Sequence, residues 1–293
     1  MANLKEIRIR IASVRSTQKI TSAMKMVSAA KLRRAQTAIY KLRPYADELN
    51  KILSRITTVE ESENNPLSEI RPVENVIIVL IASNKGLCGG FNNAVIKELE
   101  ALLRTQYSSL HKKGKVQFVG VGKRISDYLK AKKYPALGFY DEFTANPSFN
   151  AVSDLADDLM GKFTRKEVDK VVVIYNEFKN AATQILTNEQ YLPILGSAEA
   201  ETGKSESTDY IFEPNKAEMY KILIPKVMRV KLYKSILDSV ASEHGARMTA
   251  MHKATENADE LIKQLNLTYN KCRQSSITNE IIEIVSGAEA LKG

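Results

Sequence analysis

The stretch "LRRAQTAIYKLRPYADELNKILSRI", Leu32 to Ile56, decides the fold. Its apolar residues fall at Leu32, Ala35, Ile39, Leu42, Ala46, Leu49, Leu53 and Ile56, in alternating steps of three and four. That spacing draws one stripe along a helix, the pattern of a coiled-coil seam. The same register is set earlier at Leu4, Ile7, Ile11 and Val14. Between Leu4 and Ile56 there is no glycine and only one proline, Pro44, so a single helix of roughly 80 Å is expected. Midway the register turns polar, reading Gln18, Thr21, Lys25 and Ser28, while apolar residues move to Ile20, Met24 and Val27. The face that seeks burial is therefore expected to change direction there.

The far end of the chain repeats the theme. Lys226 to Ser286 holds one glycine, Gly245, and no proline; Ala254, Ala258, Leu261, Leu265 and Thr268 keep a heptad seam. A second stripe follows at Ile277, Ile281, Ile284, Ala288 and Leu291. Pro225 is expected to limit or kink the start of this helix.

The texture between the arms is different. "SENNPLSEIRP" (Ser62 to Pro72) reads as a linker. "VIIVLIA" (Val76 to Ala82) is a continuous apolar run, as in a strand buried on both faces. Asn92 to Lys113 reads as an amphipathic helix and Val116 to Gly122 as a second strand. Short helices near 124–133 and 152–164 flank a weaker strand near 136–140. Lys170 to Phe178 and Thr183 to Leu195 read as a hairpin at the sheet's edge, followed by an exposed polar loop over Ser197 to Asp209. Strands alternating with helices imply an open, mostly parallel sheet.

The expected fold is thus α/β: a long antiparallel coiled coil of N- and C-terminal helices plus a central Rossmann-like open α/β domain. The expected parts are an N-terminal helix over 1–57, a linker over 58–73, the α/β domain over 74–212 and a C-terminal helix over 213–293. If pairing starts at Ile56 against about Pro214, paired residue numbers total about 270 and Met1 lies near Asn270. A tip from about 271, Cys272 to Gly293, is then left unpaired over roughly 30 Å. A lone helix with an apolar stripe is unstable in water, so this tip is expected inside a partner.

Charge separates the parts. Residues 1–56 carry 13 Lys and Arg against 3 acids, 57–215 carry 18 against 22, and 216–293 carry 12 against 9. The basic N-terminal arm suits nucleic acid, anionic lipid or an acidic protein surface. The longest apolar run is far short of the ~20 residues needed to span a bilayer. No secretory apolar stretch opens the sequence, and Cys88 and Cys272 form no ligand cluster. A soluble protein in a reducing compartment is expected.

Catalytic patterns fail one by one. In "IASNKGLCGGFNNAV" (Ile81 to Val95), Gly86 is followed by Gly89 and Gly90, but no Lys-Ser/Thr comes after them. A P-loop needs that pair to reach phosphate and magnesium, and the dinucleotide fingerprint is absent too. A tight strand-to-helix turn explains the glycines better. His244 and His252 stand two turns apart, too far to share a metal, and no nucleophile elbow appears. No catalytic residue, cofactor or metal is expected. A nucleic-acid-binding coiled coil and a small-molecule enzyme built on the central domain remain as rivals at this level.

"RIRIASVRSTQKITSAMKMVSAAKLRRAQ" (Arg8 to Gln36), "SNKGLCGGFN" (Ser83 to Asn92), "ASEHGARMTAMHKATENADELI" (Ala241 to Ile262) and "LNLTYNKCRQSSITNEIIEIVSGAEAL" (Leu265 to Leu291) together closely resemble the gamma-subunit family of F-type rotary ATP synthases. The likeness spans the chain in the right order. It implies a central rotor shaft, one copy per complex, whose coiled coil enters a ring of alpha and beta subunits. The α/β foot would meet epsilon and the c-ring, with membrane contact only through that ring and no nucleic acid. Nucleotides would bind on alpha and beta. The resemblance places rotor–stator contacts at Arg8, Arg15, Lys19, Met24, Lys25, Arg33 and Arg34, within a basic set that also holds Arg10 and Lys31. Near the tip it adds Arg273, Gln274, Thr278 and Glu280. A tip bearing at Ile277, Ile281, Ile284 and Leu291 and a foot contact at Tyr210 complete the set. No inserted cysteine pair like that of photosynthetic relatives lies between Leu195 and Tyr210, so thiol regulation is not expected; the lack of a transit-peptide pattern leads to the expectation of a bacterial version at the cytoplasmic face of the inner membrane.

Overall fold

The computed structural model describes residues 4–56, 65–194 and 216–290. Internal contacts gather the chain into two compact units, Ala29–Arg247 and Met1–Ser28 with Met248–Gly293. Tyr210 and Leu291 lie outside the described residues.

The larger unit holds the sheet. In chain order its elements after helix α1 (Leu4–Ile56) are β1 (Val76–Ile81), α2 (Phe91–Arg104), α3 (Ser108–Lys112), β2 (Val116–Val121), α4 (Lys123–Ala131), β3 (Ala136–Phe139), α5 (Glu142–Ala145), α6 (Phe149–Thr164), β4 (Lys170–Phe178) and β5 (Gln184–Leu192). Helix α7 (Lys216–Ala290) closes the chain. The strands lie in the order β3-β2-β1-β4-β5; the first four are parallel, and β5 returns antiparallel along β4. Every residue of β1 is buried, as a strand covered on both faces requires. On one face Val76, Ile78, Leu80, Phe118, Val172 and Ile174 pack with Val95 and Leu99 of α2 and Ile125 and Leu129 of α4. The helix expected over 92–113 is two helices; the break holds the buried Tyr107, whose amide reaches back to the Leu102 carbonyl at 2.9 Å.

A half-buried arginine ties the entry to β1. Arg71 donates to Asp169 Oδ1 at 2.6 Å and to the Phe163 carbonyl at 2.9 Å, bonds the Val168 carbonyl, and stacks 4.4 Å over the Phe163 ring. Asp169 in turn accepts the amides of Glu74 and Asn75, both at 2.9 Å. Directional charge-assisted bonds fix the register with which the chain enters the sheet.

In this unit the seam of α1 is buried at Leu32, Ala35, Ile39, Ala46 and Leu49 and half-buried at Leu42. From Ser235 to Gly245, α7 is buried on every side for eleven consecutive residues. It packs on the α/β domain through Tyr191, whose hydroxyl donates to the Met228 carbonyl at 2.8 Å, and through Tyr233, edge-on to Phe149. Ion pairs Arg229–Asp157 and Lys231–Glu189, each at 2.7 Å, flank that contact. Pro225 does not limit the helix as expected: α7 begins at Lys216 and runs through it. The cost of a missing helical hydrogen bond, ~3 kcal/mol, is offset by burial of Leu223, Ile224 and Met228 around it.

The smaller unit pairs the start of α1 with the later part of α7. Arg8 donates to the Tyr269 hydroxyl at 2.8 Å, Gln18 bonds Asp259, Thr21 meets Thr255 at 2.8 Å and Lys25 meets His252 at 3.4 Å. The helices are antiparallel, and partner numbers total 276 or 277 rather than the expected 270. The difference is one heptad. A heptad pattern looks the same after seven residues, so periodicity alone does not fix the register; the polar pairs do.

The same bonds correct a second expectation. The buried face does not change direction at Gln18 to Ser28. Polar residues stay in the seam, with Thr21 and Ser28 buried, and the apolar Ile20 and Val27 are left exposed at 57% each. Each seam hydroxyl is satisfied, Thr21 by Gln18 and Thr255 and Ser28 by the Met24 carbonyl at 2.7 Å, so the layer carries no unpaired-donor penalty there.

Candidate functional site

Three surfaces hold the chemistry: a basic groove on α1, the end of α7, and the loop after β1. On the smaller unit, Arg8, Arg15 and Lys19 line a shallow groove with Ile11, Ala12 and Ser16. Helical spacing explains the grouping, since positions seven and eleven apart return to one face. The three cations are exposed, while Met24 and Lys25 are half-buried beside the polar seam. Arg33 and Arg34 belong to the larger unit and are exposed there.

Among the described residues, nothing covers the end of α7. Ser276 is the last residue with partial burial, and 277–290 are exposed throughout, about 20 Å of helix. Ile277, Ile281 and Ile284 stand 47%, 55% and 71% exposed, and Ile282 and Val285 join them. Those last two were not anticipated; the apolar surface is wider than a single seam. Arg273, Gln274, Thr278 and Glu280 are exposed on the same segment, and the Thr278 hydroxyl is turned onto its own helix, 2.9 Å from the Gln274 carbonyl.

The glycine loop is braced by two asparagines: at its start the Ser83 N–H donates to Asn92 Oδ1 at 3.0 Å, and Asn84 Oδ1 accepts the N–H of Lys123, at the start of α4, at 2.8 Å. Gly122 lies at φ 101°, and a Cβ there would stand 2.1 Å from the Ala82 carbonyl oxygen, so only glycine lets β2's exit pass β1's. The loop's carbonyls point the other way, toward Arg247 of α7. Arg247 Nη2 donates to the Lys85 carbonyl at 2.8 Å and Nε to the Gly86 carbonyl at 3.2 Å.

Arg247 is buried, and its Nη1 lies 2.7 Å from Glu243 Oε1 and 3.3 Å from His244 Nδ1. Burial, then the charges of Arg247 and Lys31, pushes the His244 imidazole down to about 4, so it is neutral near pH 7 and can accept from the guanidinium. Burial also raises the Glu243 carboxyl against the pull of Arg247. No sequence pattern marks this cluster. Glu-x-x-x-Arg on a helix reads as an ordinary exposed pair.

Among the described residues, no helix is long and apolar enough to cross a membrane. A family model described as ATP synthase matches residues 3–291. An "ATP synthase gamma chain" of Flavobacterium johnsoniae is 52% identical, with each chain covered in full, and one of Cytophaga hutchinsonii is 50% identical over 99% of each. Among solved structures, a chain of the Euglena gracilis mitochondrial ATP synthase rotor aligns over 94% of this chain and 98% of its own. Its TM-score is 0.62 at 17% identity. A chain from the Tetrahymena thermophila mitochondrial ATP synthase central stalk and c-ring gives 0.59 at 24% identity, covering 80% of this chain and 99% of that one.

Proposed function

The chain belongs to the family of ATP synthase gamma chains, and from that premise we propose that it is the central rotor shaft of an F-type ATP synthase. One copy turns with the c-ring and drives the beta subunits through their catalytic conformations, with no catalytic site of its own. Its partners are alpha, beta and epsilon subunits and the c-ring, at the cytoplasmic face of a bacterial inner membrane.

The observation that carries this reading is the uncovered end of α7. Five large aliphatic side chains stand about half exposed or more along one stretch of helix, which water alone does not stabilise. A sleeve of subunits supplies the missing burial. Non-directional apolar contact suits a bearing, because it holds the helix without favouring one angle. Arg273, Gln274, Thr278 and Glu280 then offer polar contacts within the sleeve.

Lower down, Arg8, Arg15, Lys19, Met24 and Lys25 face acidic stator loops, and so, on the other unit, do Arg33 and Arg34. Exposed ion pairs are individually worth about 1 kcal/mol or less, so no single angle traps the rotor. Tyr210, with the loop before it, serves the foot contact to the c-ring and epsilon.

The test removes residues 277–293 and co-expresses the chain with alpha, beta and epsilon. Assembly yield or ATP-driven rotation should fall clearly against the full chain, with the α/β unit still folded. An intact complex with unchanged turnover overturns the proposed tip role, and a full chain that fails to co-purify with alpha and beta overturns the rotor reading.

A further inference from the structure

In an open α/β sheet the ligand crevice lies beyond the carboxyl ends of the strands, where the strand order reverses. Here that point falls at β1, flanked by β2 on one side and β4 on the other. The loop leaving β1 forms one wall, and the turn after β4 forms another. Two residues of α7 close the place between them. Gly245 sits against the β4–β5 turn so tightly that a Cβ would lie 3.1 Å from the Ala181 carbonyl oxygen. Arg247 enters the β1 loop and is bound by the Lys85 and Gly86 carbonyls.

We propose that this crevice is a socket for the chain's own arginine: Arg247 is a positioning residue that locks the α/β domain to α7 against rotation. Three features support it. The socket has the polarity of a cation site, since carbonyls point in while the amides of Ser83 and Lys123 are bonded to Asn side chains. The guanidinium is spread over four partners (two carbonyls, Glu243 and His244), which fixes its plane as well as its place. The aliphatic residues of the buried stretch, Ile236, Leu237, Val240 and Ala241, supply apolar packing, which resists separation but has little angular preference. A directional bond set at the end of that packing holds the azimuth of the helix. The neighbouring Ser83 hydroxyl also donates to the Lys85 carbonyl, at 2.7 Å, so the loop is braced from both sides.

The mechanical part of this inference rests on the rotor reading; the socket itself does not. The experiment uses the assembled complex with Arg247→Ala, Arg247→Lys and Glu243→Gln. Amide hydrogen exchange over 83–90 should rise about tenfold in Arg247→Ala, in keeping with loss of charge-assisted bonds, and less in Arg247→Lys, which keeps charge but lacks the fork. Exchange in β1 and β2 should stay at the wild-type level.

Proton pumping per ATP hydrolysed should fall severalfold in Arg247→Ala and fall less in Arg247→Lys and Glu243→Gln, while hydrolysis stays within about twofold. If Arg247→Ala does not assemble, Arg247→Lys carries both measurements. Unchanged exchange over 83–90 overturns the socket. Faster exchange with an unchanged pumping ratio overturns the lock and leaves the rotor reading intact.

Discussion

Two stretches of α7 share one backbone geometry and opposite surroundings. Residues 235–245 are buried without interruption, and 277–290 are exposed without interruption. Composition does not separate them, because both mix aliphatic and polar residues: Ser235, Asp238, Ser239, Ser242 and Glu243 lie in the first, Thr278, Glu280 and Glu283 in the second. The difference lies in what surrounds them. The first has its own α/β domain for a neighbour, so its polar groups must find partners or bear the cost of burial. The second keeps its polar groups in water and leaves its aliphatic ones unsatisfied. One stretch belongs to the stability of the chain, the other, on the function proposed above, to the stability of a complex.

The largest effect expected is on the buried side. Ile236 is fully buried, and Ile236→Ala should cost about 3–4 kcal/mol of unfolding free energy in urea, the sum of lost transfer energy and a cavity. A cost below ~1 kcal/mol would place this stretch in a looser environment than described.

Asp238 sharpens the contrast through pH. Burial drives its carboxyl up to about 6, with Glu177 of β4 raising it further, against the opposing charges of Lys234 and of Arg43 on α1. A carboxyl that binds its proton more tightly when folded loses stability as pH rises from about 4 through 6. Asp238→Asn should therefore stabilise the chain by ~2 kcal/mol at pH 8, with the gain disappearing below pH 4. A gain independent of pH, or none, would contradict the burial of this carboxylate.

The smallest effect belongs to the exposed side. Ile284→Ala and Gly287→Ala should change the stability of the chain by less than about 1 kcal/mol, Gly287→Ala in the stabilising direction, since a Cβ there meets nothing within 4 Å. Within the proposed complex, Ile284→Ala should weaken assembly. A large loss in the chain alone would mean that this end packs on its own body.

Much of the fold was legible because it depends on periodicity. Leu32, Ala35, Ile39, Ala46 and Leu49 announced the seam and are buried, and the unbroken apolar run 76–82 announced a central strand. Register was not legible, since Thr21 opposite Thr255 and Lys25 opposite His252 follow from atoms rather than from spacing. The direction of the seam at Gln18 to Ser28 was misjudged for a related reason. Apolar content points to one side as buried, whereas hydrogen bonding across the seam holds the polar side inward.

At the site, the missing Lys-Ser/Thr argued against a phosphate cradle, and the carbonyls turned toward Arg247 give the loop a different occupant. Nothing in the spelling of Glu243 and Arg247 marked them as buried. Burial is a property of the neighbours, and those neighbours lie some 160 positions earlier in the chain, at Lys85 and Gly86.

The contact at Gly245 also acts lengthwise. With a hydrogen where a methyl would press on Ala181, the helix rests closely against backbone: a shift of one residue in either direction brings Ala246 or His244 there, and a Cβ 3.1 Å from the Ala181 carbonyl oxygen would require that backbone to give way. A helix so seated would resist thrust along its length at Ala181, beside the twist that the proposed Arg247 contacts with Lys85 and Gly86 would resist.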